Sequence, residues 1–115
     1  MSTFGAEIRE IAPGRVVLAA PVSPAVSQQQ GYAHAGLTFA LGDSAAGYAA
    51  LTLMDEDQEV LTAEMKINLI APGTGPELVA TGKVVKAGRR LVIVRSHVAG
   101  PSGTIAILQG TMIPV

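Results

Sequence analysis

The 115-residue chain has no cysteine and no tryptophan, and only two histidines, His34 and His97. Without cysteine there are no disulfides, thiolate metal sites or cysteine nucleophiles. This fits a reducing compartment. Two separated histidines give no basis for a metal centre, so none is expected. Two Tyr and two Phe are the only aromatics, so no platform for stacking bases is evident. A net charge of −1 gives no electrostatic footprint for nucleic acid, and no nucleic-acid partner is expected. There is no Gly-x-Ser-x-Gly elbow and no phosphate-binding loop, so α/β serine hydrolases and P-loop enzymes are unsupported. The first residues carry neither a basic nor a long apolar segment, so no signal peptide and a cytoplasmic location are expected. Residues 31–54 are long enough to span a bilayer. They contain His34, Asp43 and many small side chains, and no membrane association is expected.

Charge is also sparse, at 15% of residues against 49% hydrophobic. The length predicts one domain over residues 1–115 with one core. Part of so much apolar surface has nowhere to go within one small subunit, so a homo-oligomer is expected. Acids are missing altogether after Glu77, where Lys83, Lys86, Arg89, Arg90 and Arg95 follow. Charge alone leaves two readings of this third of the chain: a solvated basic face, or a landing site for an anionic group such as a phosphate.

The most informative stretch is residues 31–54. It lacks proline, is rich in Ala and Gly, and predicts a helix over about 35–54. Gly36, Ala40, Asp43, Gly47, Ala50 and Met54 fall on one helical stripe. A second stripe, Leu37, Leu41, Tyr48 and Leu51, is the expected core face. The first stripe admits a close neighbour and places one carboxylate in its middle. A carboxylate held in an interior contact is costly unless paired or used.

Around this helix the chain predicts strands. Residues 6–11 and 15–21 flank a Pro13–Gly14 turn, and residues 61–70 alternate most clearly. There, Leu61, Ala63, Met65, Ile67 and Leu69 oppose Thr62, Glu64, Lys66 and Asn68, predicting one apolar and one polar face. Strands at about 77–86, 90–98 and 104–113 follow with short connections, which favour an antiparallel meander. Two strands, one long helix and four strands make an α+β plan with the helix packed on one sheet face.

His34, Ala35 and Gly36, then Asp43 nine residues after the histidine, resemble the hotdog-fold acyl-CoA thioesterases of the phenylacetic-acid-degradation type. Residues 61–68, Ala71-Pro72-Gly73, and residues 84–89 match the later blocks of that family in order. Ala35 departs from the glycine usual there but still supplies a backbone N–H. The resemblance implies a hotdog fold, one long central helix wrapped by a mostly antiparallel sheet of five to six strands. It implies hydrolysis of an acyl-CoA to free acid and CoA, with no cofactor beyond the CoA carried by the substrate. Dimers with shared sites, often paired into tetramers, are also implied.

Thioester hydrolysis needs stabilisation of charge on the carbonyl oxygen and a carboxylate that attacks or activates water. The helix N-terminus offers the free N–H groups of Ala35 and Gly36 for the first task, and Asp43 serves the second. By resemblance, Thr62 holds the water, and Gln28, six residues before His34, adds to the site. His34 shapes the loop or bonds near the carbonyl. Lys86, Gly88, Arg89 and Arg90 are the candidates for the CoA phosphates. Two other functions stand beside this one: a hotdog dehydratase or hydratase acting on an acyl thioester, and a non-catalytic acyl-CoA-binding module. Asp43 lies seven residues beyond Gly36, about 10 Å along the axis at 1.5 Å per residue. One thioester carbon cannot touch both in one chain, so two antiparallel helices must share each site.

Overall fold

A computed structural model of the chain describes residues 5–22 and 33–115. The elements in order are β1 (Glu7–Ala12), β2 (Arg15–Pro21), α1 (Ala35–Leu51), β3 (Val60–Leu69), β4 (Glu77–Ala87), β5 (Val92–Gly100) and β6 (Gly103–Pro114). The strands form one six-stranded sheet in the order β1-β2-β4-β5-β6-β3. Every pairing is antiparallel. The expected meander is β4-β5-β6, while β3 crosses over to pair with β6 at the far edge.

The core follows from strand alternation. Val16, Leu18 and Ala20 of β2, Leu78 and Ala80 of β4, Val98 of β5 and Leu108 of β6 cluster with Leu37, Leu41, Ala45 and Ala49 of the helix. A second cluster joins Ala46 and Ala50 to Val92, Val94 and Met112, with Met54 and Val60 packed beside it. The small residues of α1 let the sheet come very close. A Cβ on Gly82 would overlap the backbone of Ala45 and Ala46, so β4 and the helix touch main chain to main chain.

This close approach corrects the expected core face. Leu37 and Leu41 are buried, but Tyr48 is 39% exposed and Leu51 only half-buried. Alanines take the buried positions in the second half of the helix because β4 leaves no room for larger side chains. Tyr48 and Leu51 instead wall an apolar cleft with Ile8, Ile11 and Val16. The helix also ends at Leu51 rather than near Met54. Thr52 closes it, with its hydroxyl donating to the Ala49 carbonyl at 2.6 Å and accepting the Gly14 N–H at 2.7 Å.

The strand β1 is exposed along its whole length. Arg9 reaches across β2 to grip both carboxylate oxygens of Glu77, at 2.6 and 2.8 Å. These hydrogen bonds are the main reason that Arg9 titrates above, and Glu77 below, its ordinary range. The pair lies at the surface, where such bridges add little stability.

The strand β3 departs most from expectation. Its pairing with β6 shifts between Thr62 and Glu64, so Ala63 is an extra, bulged residue. A bulge exchanges the two faces of a strand. Val60 and Thr62 therefore turn inward before it, and Met65 and Ile67 after it, while Leu61 and Leu69 are 52% and 56% exposed. The predicted single apolar face is thus broken in the middle.

Candidate active site

The bulge has a direct consequence for Asp43. It brings Thr62, expected on the outward polar face, round to the helix. The Thr62 hydroxyl lies 2.8 Å from Oδ1 of Asp43 and donates to it. The same oxygen is 3.2 Å from Sδ of Met112. Its one proton goes to the carboxylate, the stronger acceptor. Gly110 makes room for the bulged strand, since a Cβ there would strike the Glu64 carbonyl and Met65. Asp43 is half-buried, between Ala40 and Gly47 on the small-residue stripe. Among the described residues, Thr62 is the one side chain bonded to this carboxylate, through Oδ1.

The start of the helix is built differently. His34 is exposed, its backbone is extended (φ −62°, ψ 144°), and its side chain makes no cap. Its carbonyl accepts the N–H groups of Leu37 at 3.0 Å and Thr38 at 3.3 Å. The N–H groups of Ala35 and Gly36 precede these and have no intrahelical acceptor. No acid occupies the first turn, and nothing lies within 4 Å of a Cβ built on Gly36. Among the described residues, these two N–H groups have no acceptor, and they lie at the positive end of the helix dipole. The buried Ala33 fixes this start: its N–H bonds to the Gly73 carbonyl at 2.7 Å. The loop after β3 thus clamps the helix start. In the sequence, Gly73 stood out as part of a turn and of a block matching the resembled family, not as a partner of the helix start.

The remaining predicted site residues are dispersed. Gln28 lies outside the described residues. Lys86 is the penultimate residue of β4, and Gly88, Arg89 and Arg90 form the exposed β4–β5 turn, closed by a 2.8 Å bond from the Gly88 N–H to the Leu91 carbonyl. Next to this turn, Val92 packs with Ala50 and Met54. The turn therefore sits by the C-terminal half of α1, away from His34 of the same chain. The structure joins Asp43 to Thr62 and leaves Ala35 with Gly36 as a separate pair of donors. Among the described residues, no group of three or more His, Asp or Glu could hold a metal. No described helix is long and apolar enough to cross a membrane.

One helix wrapped by a six-stranded antiparallel sheet is the hotdog architecture. The chain belongs to the thioesterase superfamily, whose pattern matches residues 30–105. A thioesterase family protein from Silicibacter pomeroyi superposes with a TM-score of 0.96 at 39% identity, covering 100% of this chain and 88% of that one. The 1,4-dihydroxy-2-naphthoyl-CoA hydrolase of Listeria monocytogenes is 29% identical over 87 residues, 76% of this chain and 71% of its own. A Bacillus halodurans protein solved with CoA has a TM-score of 0.82 at 27% identity, covering 86% of this chain and 66% of that one. This protein is a thioester hydrolase.

Proposed function

We propose that the protein is an acyl-CoA thioesterase in which Asp43 acts on the thioester carbon, directly or through a water. The observation that carries this reading is the Thr62–Asp43 hydrogen bond. Among the nine acids of the chain, Asp43 is the one on the helix. It is half-buried, and Thr62 orients one of its carboxylate oxygens. Direct attack forms a mixed anhydride and expels CoA thiolate, and water then hydrolyses the anhydride. In the alternative, Asp43 takes a proton from water as the water attacks, and the proton passes to the departing thiolate. In both routes charge builds on the carbonyl oxygen, and the free N–H groups of Ala35 and Gly36 are suited to hold it. CoA as the leaving group is supported by the names of the Listeria relative and the Bacillus structure.

The site is completed by a second copy. Asp43 and Gly36 are separated by about 10 Å of helix, and both must lie within about 3 Å of reacting atoms. A two-fold dimer with antiparallel helices brings the start of one helix to Asp43 of the other. Support comes from β3, a ten-residue edge strand with Leu61 and Leu69 exposed. Such an edge calls for a cover, and β3 of a second copy provides one. In that dimer, the Arg89–Arg90 turn at the C-terminal half of one helix falls toward the partner's helix start, where CoA phosphates would arrive. His34, just before the helix, is a further candidate for the site, and Gln28, outside the described residues, is assigned to it by resemblance alone. The test is hydrolysis of a panel of short, long and aromatic acyl-CoAs, read as free thiol, with Asp43→Asn as control. Turnover of at least one ester that is abolished in the variant supports the reading. Tight binding of esters without thiol release would make the protein a binding module instead.

A further inference from the structure

On the sheet face turned away from α1 lies a groove of about 510 Å³. It is built on strand register. Lys83 stands opposite Arg95, Arg95 opposite Gln109, and Gln109 opposite Lys66, in one row across β4, β5, β6 and β3. With strands about 4.8 Å apart, the row spans about 14 Å. His97 and Asn68 line the groove from the next row. Like charges directly opposite one another on a sheet are destabilising, and Lys83–Arg95 is such a pair.

No acid of the chain offsets it. Glu7 and Glu77 are taken by Arg9, and Glu10 by Arg15. Asp43 lies on the helix side of the sheet, and Glu64, bonded by Thr111, shares the outward face two residues from Lys66 but forms no ion pair with Lys66, Lys83 or Arg95. The remaining four, Asp55, Glu56, Asp57 and Glu59, lie on the connection between α1 and β3. The Gln109 amide oxygen accepts from Nε of Arg95 at 3.1 Å, which orients the guanidinium and leaves its two terminal nitrogens free. Lys66 and Lys83 have no bonded partner among the described residues.

We propose that this groove is a binding site for a small polyanion carrying two or more phosphate groups, distinct from the thioester site of the same protomer. Three unpaired cations in a row match the charge and reach of a phosphoanhydride or bisphosphate. The volume is that of ordinary small-molecule sites, about 300–1,000 Å³. Asp43 lies on the other side of the sheet, so a ligand here does not occupy the same protomer's reacting centre. The phosphates belong either to a free polyphosphate such as a nucleoside diphosphate, or to the nucleotide end of a CoA ester reaching over from a neighbouring copy.

The experiment is titration calorimetry of the intact protein with inorganic pyrophosphate at low ionic strength, followed by competition with ADP, CoA and pantetheine. Saturable binding is expected, weakened at least tenfold in Lys83→Met/Arg95→Met. That variant should fold at least as stably as the parent because it removes a like-charge pair. Arg9→Gln, which removes a cation outside the groove, should leave pyrophosphate binding unchanged. Competition by ADP but not CoA identifies a free polyphosphate. Competition by CoA but not pantetheine identifies the CoA nucleotide. No saturable binding, or equal binding by the Lys83→Met/Arg95→Met variant, overturns the proposal. So does an absence of pyrophosphate binding together with loss of a larger oligomer in that variant, which would assign the groove to the acidic connection of a second copy.

Discussion

The start and the middle of α1 are opposites in construction. At the start, His34, Ala35 and Gly36 are exposed, uncapped and uncrowded. In the middle, Asp43 sits half-buried in a packed stripe and is held by Thr62. Among the described residues, one end offers N–H donors with no acceptor, and the other a carboxylate bonded at Oδ1 alone. Each is what the other lacks, and they are too far apart on one rigid helix to meet. On the proposed reading, the difference teaches that a single chain carries two half-sites of different kinds, which a second copy would make whole.

The strongest way to break this comparison is to neutralise the middle. Asp43→Asn keeps the shape and the Thr62 contact but removes the group proposed to attack or to accept the proton. It should lower kcat by about a hundredfold or more with the fold unchanged. Activity within a few-fold of the parent would remove Asp43 from the mechanism. The complementary change at the start is Ala35→Pro. Proline suits the first helical position, and the extended backbone of His34 is the conformation favoured before it. The helix should therefore survive with one donor fewer. A loss of about tenfold or more in kcat with an undiminished Tm is expected, in line with the cost of deleting an oxyanion donor. An unchanged kcat would assign that role to the Gly36 N–H alone.

Thr62→Ala sharpens the account of the middle. It deletes one hydrogen bond to a carboxylate, worth about 1.5–3 kcal/mol when the acceptor is charged. The expected loss in kcat is about tenfold, restored in Thr62→Ser. Failure of serine to rescue would mean that Thr62 acts by packing against Met112 rather than by its hydroxyl. The smallest effect is expected at the β4–β5 turn. Arg89→Ala/Arg90→Ala should raise KM for a full CoA ester with little change in kcat, and less so in high salt. An unchanged KM at low salt would place the phosphates elsewhere.

Much of the fold was legible in the sequence because it rests on local signals. Pro13–Gly14, Pro72–Gly73 and the glycines at 100 and 103 punctuate the strands, and the proline-free alanine run marks the helix. The candidate residues Asp43 and Gly36 also stood out, by spacing and by resemblance. What misled was period. Strict alternation in β3 put Thr62 outward with Glu64, and only the bulge at Ala63 turns it toward Asp43. A bulge is set by the partner strand, here by the space at Gly110, so alternation within β3 alone could not reveal it. Tyr48 and Leu51 failed as core residues for a similar reason. The close approach of Gly82 in β4, far away in sequence, reserves that part of the helix for alanine. The cationic row of Lys83, Arg95 and Lys66 was visible only as scattered basic residues until register aligned it.

The sharing of each site between two chains is tested most directly by complementation. Asp43→Asn and a variant disabled at the helix start, His34→Ala if it is inactive alone, are each prepared separately, then mixed, co-refolded and assayed for thiol release. A mixed dimer holds one site with both defects and one with neither. Under random re-pairing half the dimers are mixed, so roughly a quarter of all sites, and of the parent activity, should return. If mass-tagged subunits are shown to exchange and no activity returns, each site is contained in one chain and the account is wrong.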